Sequence, residues 1–343
     1  TVATIAFEFR RQLNMYAQLT SDQPEFVPWQ GHDFSMRGQT SLESSCVAGA
    51  AHLLSFTGTD TIPAIDWLEE YYEANAEQEL IGGSVPATEH SVMCLGGSTK
   101  TGEYLTYLRL ITETYPKGIV SIVSDTWDYW HVLNHTIRGL KDVIMARDGK
   151  VVIRPDSGDP ENIICGARLE SYGTDSPVYK GTIQLLWEIF GGTINSKGFK
   201  QLDPHIGVIY GDGINLDVMG RICTRLKSQG FASTNIVFGI GSYSYQYVTR
   251  DTFGFAMKAT AGMINGRRIE IFKDPVTDDG IKKSARGLLR VNGDYSLSQQ
   301  VTAIEECGGL LQTRYENGQM IDPTTLQNIR IRIGNELQKE SLA

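Results

Sequence analysis

The residues best equipped for chemistry lie in a few short segments rich in Asp, Arg, Ser and Gly. The most informative is Arg154-Pro155-Asp156-Ser157-Gly158. An Arg and an Asp two positions apart at a strand end point the same way. The guanidinium can fork onto a carbonyl or a phosphate. The carboxylate can accept from sugar hydroxyls or hold Mg2+. Ser124-Asp125 ends a neighbouring apolar run, and Asp212 ends another in Gly211-Asp212-Gly213. Three carboxylates at strand ends repel one another unless a cation lies among them. Each also reads as a simple cap of the helix that follows. Gly239-Ile240-Gly241-Ser242 begins like a dinucleotide fingerprint, but Ser244 stands at the third glycine position. A loop offering N–H groups to a phosphate fits better, with a plain turn as the alternative. GHDFSMRG (31–38) joins an aromatic plate, Phe34, to Arg37, though Phe34 alone reads as a core residue. TGTDT (57–61) carries Asp60, and SVPATEHS (84–91) sets Glu89 beside His90. A His next to a carboxylate among small residues is a general base, a phosphorylatable nucleophile or an ordinary structural His.

These residues need strands and loops to position them. Four apolar runs end in Asp, Gly or Ser: GIVSIVSD (118–125), KVVIRPDSGD (150–159), HIGVIYGDG (205–213) and NIVFGIGS (235–242). Near-continuous Val/Ile runs suit strands buried on both faces, hence a parallel sheet. Helix-spaced apolar positions over Trp127–Leu140 and Thr182–Phe190 fit between them. Strand and helix in alternation indicate an α/β fold, with the polar residues at the C-terminal strand ends where such folds build their sites. The start, TVATIAFEF (1–9), reads as a β-branched and aromatic strand leading into a helix through Tyr16. The style changes near residue 247. MINGRRIEIFK (263–273) reads as a hairpin turning at Asn265-Gly266, a basic stretch follows with Lys282, Lys283 and Arg286, and the tail from Thr324 reads as a surface helix. A barrel over 23–247, with 1–22 and 248–343 forming parts of a second domain, is the expected division.

The chain has 343 residues, 40 acidic against 31 basic, for a net charge of −9. That excess of acid argues against a general nucleic-acid-binding surface. With 41% hydrophobic and 21% charged residues, a packed core is expected rather than disorder. Its 36 glycines form no repeat and point to tight turns and ligand-facing loops. Five scattered cysteines make no CxxC pair, which disfavours a zinc site or disulfide framework and favours a cytoplasmic location. No apolar run reaches membrane-spanning length and no signal peptide is visible, so no membrane association is expected. Position 1 is Thr, which suggests a start inside a longer or processed protein.

In order along the chain, GHDFSMRG, FTGTDT, SVPATEHS, VSIVSD, IRPDSGDP, NSKGFK, VIYGDG, FGIGS, VTRD and IFKDPV together resemble the type-II phosphoribosyltransferase family, specifically its nicotinamide-using members. The resemblance implies an α/β fold with a (β/α) barrel of that kind plus a smaller α+β sheet domain. It implies transfer of phosphoribose from phosphoribosyl pyrophosphate to nicotinamide, giving nicotinamide mononucleotide and pyrophosphate in NAD salvage. It further implies Mg2+, a homodimer with shared active sites, and stimulation by ATP through phosphorylation of His90. On the matching positions, Phe34 would stack the pyridine, Asp60 would accept from the carboxamide NH2, and Arg154 would meet the carboxamide oxygen. Ser84, Ala87 and Ser121 would also contact substrate. Asp156, Gly211 and Asp212 would face the ribose, with Asp125 and Asp156 near Mg2+. Arg37 would meet pyrophosphate, and Gly241 with Ser242 the 5′-phosphate. Arg250 and Lys258 of the partner subunit would reach in. His90, Asp156, Asp125 and Arg154 are the expected catalytic set.

Two positions depart from the family pattern: Ser242 stands where a second glycine is usual, and Gly207 where an Arg is usual. The segment that precedes Thr1 in family members, and that lends a second stacking aromatic to the partner's site, has no candidate here. Two alternatives follow, a nicotinate phosphoribosyltransferase and a truncated non-catalytic nucleotide-binding homologue. Asp60 separates the first, since a carboxylate facing a carboxylate substrate is repulsive.

Overall fold

A computed structural model describes residues 1–96, 99–167, 170–247, 259–272 and 285–342. The chain divides into two compact units, Thr1–Val248 with Thr325–Ala343, and Thr249–Thr324.

The first unit is built on a six-stranded, all-parallel, curled sheet. Its strands are β1 (Gly31–Asp33), β2 (Gly58–Thr59), β3 (Val120–Val123), β4 (Val151–Arg154), β7 (Ile206–Tyr210) and β8 (Val237–Ile240); β5 (Gly192–Ile194) and β6 (Lys200–Leu202) form a separate antiparallel pair. The sheet order is β2-β1-β8-β7-β4-β3. All four apolar runs singled out above are therefore strands of one sheet. Every residue of β3 is buried, as a strand covered on both faces requires. Segment 83–88 is bridged in parallel to both outer strands, Gly83 to Gly58 of β2 and Ala87 to Ser121 of β3. Helices pack around the sheet on one large core that includes Phe9, Leu13, Ile122, Ile153, Leu186, Val208, Ile222 and Phe238.

The first residues differ from expectation. Val2–Thr20 is a single helix, not a strand and then a helix. Ile5, Phe9, Leu13 and Ala17 recur every four residues, and all are buried on the core of the first unit. That periodicity outweighs the β-branched residues at the start. The chain before residue 23 thus packs within the first unit, where the tail helix also lies, and not in the unit Thr249–Thr324. The Lys197 ammonium donates to the carbonyls of Gln18 (2.5 Å) and Ser21 (2.7 Å), placing a cation at the negative end of this helix. The NSKGFK segment is accounted for by that cap. The stretch read as one helix from Trp127 begins at Tyr129 and continues as π-type turns over Val132–Ile137.

The tail is helical, as expected, over Leu326–Leu342, and it also lies in the first unit. Its Arg330 donates to the carbonyls of Leu53 (2.9 Å), Leu80 (2.9 Å) and Ile81 (2.6 Å).

The second unit contains three antiparallel pairs: β9 (Ala261–Ile264) with β10 (Arg267–Glu270), β11 (Leu289–Val291) with β12 (Leu297–Gln299), and β13 (Tyr315–Glu316) with β14 (Gln319–Met320). The first is the expected hairpin. Asn265 (φ 50°) and Gly266 (φ 74°) both sit in the left-handed region that its two-residue turn requires.

Candidate active site

The C-terminal ends of the parallel strands deliver most of the singled-out residues to one region of the first unit. Phe34, Asp60, Ser84, Ala87, Ser121 and Arg154 line a single cavity of about 450 Å3. Phe34 follows β1, and its N–H donates to the Ile240 carbonyl at the end of β8 (3.0 Å). Its ring lies against Gly211 and Gly239. A Cβ on Gly211 would come within 2.6 Å of the ring, and one on Gly239 would overlap it. The first glycine of the apparent fingerprint therefore makes room for an aromatic plate.

Arg154, at the end of β4, stands over that plate, with its guanidinium carbon 5.2 Å from the Phe34 ring centroid. Only 5% of its side chain is exposed. Its two ion pairs, to Glu89 and Asp156, are both long at 3.9 Å. Among the described residues its Nε has no hydrogen-bond partner, and neither does the buried Ser121 Oγ on the same cavity wall. Two buried donors without partners beside a cavity are groups that a bound molecule would satisfy.

Asp60, just beyond β2, lies at the cavity wall. Its Oδ1 accepts from His32 Nε2 (2.8 Å) and from Ser84 Oγ (2.6 Å). Partial burial pushes its carboxyl up, but the His32 and Ser84 hydrogen bonds and the Arg154 charge outweigh this and hold it below the usual carboxylate range. Ser84 thus lines the cavity and also holds Asp60. His32 is the residue that motif reading passed over. It lies inside GHDFSMRG and lines the cavity, and its ring meets Phe34 edge-on at 5.1 Å.

A second group of residues gathers around Asp125, whose side chain is 4% exposed. His90 Nε2 lies 3.2 Å from its Oδ1, and the Asp156 N–H donates to its Oδ2 (3.0 Å). A carboxylate only accepts, so His90 carries its proton on Nε2 here. Burial pushes the Asp156 carboxyl up; Arg154 opposes this, while Asp125 and Asp212 add to it. The Tyr210 hydroxyl donates to the Gly158 carbonyl (2.9 Å), holding the loop that carries Asp156. Among the described residues, no three His, Cys, Asp or Glu side chains converge on a metal position. A magnesium held by one or two carboxylates and completed by phosphate oxygens does not need three. The crowded carboxylates, with Asp156 pushed up by burial and by its acidic neighbours, fit such an ion.

Arg37, in the turn Met36–Gly38, and Asp212, after β7, are exposed. Gly241 precedes the short helix Ser242–Gln246, and a Cβ there would meet nothing within 4 Å, so its backbone faces open space. The Ser242 hydroxyl sits where a Cβ on Gly38 would fall, which accommodates the departure from the usual glycine. At the other departure, Gly207, the Lys150 stem fills the adjacent space, 3.1 Å from where a Cβ would stand. Arg250, Lys258, Lys282 and Lys283 lie outside the described residues.

The model of the nicotinate phosphoribosyltransferase (NAPRTase) family matches residues 29–319. The chain is 52% identical to the nicotinamide phosphoribosyltransferase of Acinetobacter baylyi, over 98% of this chain and 67% of that protein. It is 37% identical to the protein of that name from Xanthomonas campestris pv. campestris (96% and 68%) and 40% identical to that from Mycoplasma pneumoniae (81% and 57%). The chain thus spans about two thirds or less of the length of these curated relatives. Its fold resembles a solved structure of nicotinate-nucleotide pyrophosphorylase from Pyrococcus furiosus, with a TM-score of 0.52 at 14% identity, covering all of this chain and 70% of that one. By motif, fold and identity together, the chain belongs to the nicotinate phosphoribosyltransferase family.

Proposed function

We propose that the protein transfers phosphoribose from phosphoribosyl pyrophosphate to nicotinamide, releasing pyrophosphate and forming nicotinamide mononucleotide for NAD salvage. The observation that carries the choice of base is the pairing of Asp60 with Arg154 around the Phe34 plate. A carboxamide has one donor end and one acceptor end. Its NH2 meets Asp60, and its oxygen meets Arg154 Nε and Ser121 Oγ, which have no hydrogen-bond partner among the described residues. A carboxylate presents only acceptors, and its charge opposes Asp60. The names of the relatives support the same base.

In this reading Phe34 stacks the pyridine, and Ala87 and Ser84 complete the wall. Gly211, Asp212 and Asp156 face the ribose. Arg37 meets pyrophosphate, and Gly241 with Ser242 receives the 5′-phosphate. The pyridine nitrogen attacks the anomeric carbon with its own lone pair, and the bond to pyrophosphate breaks with its electrons leaving on oxygen. No strong general base is required. The positive character that develops on the sugar is stabilised by the neighbouring carboxylates. Asp125 and Asp156 would hold Mg2+, which when bound neutralises the departing pyrophosphate. His90 would accept a phosphoryl group from ATP. Asp125 holds its Nε2–H, which leaves the lone pair on Nδ1.

Segment 83–88, bridged to both outer strands, supports closure of the sheet as a (β/α) barrel of the type-II phosphoribosyltransferase kind. We place the second unit with the family's smaller sheet domain, and we expect a homodimer with Arg250 and Lys258 of the partner subunit completing each site. Among the described residues no helix is long and apolar enough to cross a membrane, and all five cysteines are free, which supports a cytoplasmic location.

The test is an assay with nicotinamide or nicotinate, phosphoribosyl pyrophosphate and Mg2+. Nicotinamide mononucleotide is the expected product. Turnover of nicotinate alone would establish the rival enzyme. Nucleotide binding with no turnover of either base would establish a non-catalytic homologue.

A further inference from the structure

We propose that His32 is a specificity-determining positioning residue: it fixes which oxygen of Asp60 faces the base, and so helps the site choose an amide over an acid. The inference rests on the reading of Asp60 given above and adds a residue to it.

Both hydrogen bonds to Asp60 fall on one oxygen. His32 Nε2 and Ser84 Oγ reach Oδ1 at 2.8 and 2.6 Å. Among the described residues no hydrogen bond reaches Oδ2, which is left for a ligand. The Asp60 side chain is 45% exposed, whereas the His32 side chain is only 12% exposed, so the ring is the fixed member of the pair. Its position is set by two neighbours. Within the β1–β2 pairing, His32 stands opposite Gly58, where a Cβ would come within 2.7 Å of its Nδ1. On the other side the ring meets the edge of Phe34. One imidazole therefore buttresses both the aromatic plate and the carboxylate.

A carboxylate held by two donors on one oxygen keeps its ionised form and a single orientation. Ionised and fixed, it accepts one N–H from an amide and repels an acid. Without the His32 donor, the half-exposed side chain is free to rotate and to take up a proton, and a protonated Asp60 can donate to a carboxylate. Ser84 alone does not fix it, because a hydroxyl turns about its own bond.

The experiment compares kcat/KM for nicotinamide and nicotinate in the full-length protein and in His32→Leu, His32→Gln, Asp60→Asn and His32→Leu/Asp60→Asn. His32→Leu is expected to lower the amide-to-acid ratio about tenfold or more, mainly through a raised KM for nicotinamide. His32→Gln, whose amide N–H reaches to a similar length, restores most of the ratio. In the Asp60→Asn background, His32→Leu changes the ratio no further. A wild-type ratio in His32→Leu overturns the inference, as does an equal loss in the Asp60→Asn background, which would mark a merely structural role. An unchanged ratio in Asp60→Asn would instead sink the reading of Asp60 itself. Nitrogen NMR of the free protein supplies a check that needs no variant. His32 is expected to be protonated on Nε2, and an Nδ1–H tautomer would contradict the arrangement.

Discussion

His52 offers a measurable link between burial and pH. It lies on the helix Leu42–Leu53 and is 0% exposed. Nε2 lies 3.0 Å from the Gly58 carbonyl and Nδ1 lies 2.5 Å from the Tyr245 hydroxyl. The carbonyl can only accept, so Nε2 carries a proton, and with the pKa pushed down to about 4 the neutral ring accepts from the Tyr245 hydroxyl on Nδ1. It joins the strand before Asp60 to the short helix after Gly241. Burial pushes its pKa down to about 4 from 6.5, against the charge of Asp33. The unfolded chain takes up this proton as pH falls through 6.5, while the folded protein resists until about pH 4. Stability from this group is therefore full above pH 6.5, falls as pH drops and levels off below about pH 4. A fall from 6.5 to about 4, at about 1.4 kcal/mol per pH unit, amounts to roughly 3 kcal/mol. Glu103 works the other way. Burial raises it to about 7, so the folded state holds its proton more tightly and gains stability as pH falls from 7. Wild-type stability alone mixes the two, and a difference isolates His52. Urea denaturation of the wild type and of His52→Gln is the assay. Between pH 7 and 4.5 the wild type is expected to lose about 2–3 kcal/mol more than the variant. Parallel losses would refute the reasoning.

Two further perturbations address the site. Gly239→Ala places a methyl group into the Phe34 ring and 2.8 Å from the Gly211 backbone. It is expected to destabilise the fold by about 1–3 kcal/mol and to raise the KM for nicotinamide; a wild-type KM with a wild-type melting temperature would contradict the packing. Chelating divalent cations is expected to abolish turnover, and Mg2+ to restore it. In Asp156→Asn the Mg2+ needed for half-maximal rate should rise about tenfold or more, and an unchanged requirement would remove Asp156 from the metal site.

The parallel sheet was legible because a strand buried on both faces writes itself as an uninterrupted apolar run. β3, β4, β7 and β8 each lie within one of the four runs. The helix Val2–Thr20 was not, because its first residues carry two messages: β-branched and aromatic content argues for a strand, and Ile5, Phe9, Leu13 and Ala17 mark a helical face that emerges only beyond Phe9. The candidate site was legible where a motif holds its own chemistry, as in the Arg154–Asp156 segment. It was opaque where a residue acts through a partner distant in sequence. Nothing near His32 announces Asp60, 28 positions away, and Gly239 gives no hint that it clears space for Phe34, which reaches it from β1.

The two halves of the site solve opposite electrostatic problems, and Arg154 stands between them. On the side proposed for the pyridine, one carboxylate, Asp60, is held ionised by donors. On the side proposed for the sugar, Asp156 is pushed towards protonation by burial and by Asp125 and Asp212. Arg154 lies 3.9 Å from Asp156 and over Phe34, and so serves both sides at long range and neither fully. A net charge of −9 supplies no general attraction for a polyanion. Phosphoribosyl pyrophosphate arriving without its metal would add negative charge to a side already short of positive charge. In the proposed reading, its magnesium complex would bring a cation to Asp125 and Asp156. That reading favours the complex as the bound species, because the carboxylates oppose the bare polyanion.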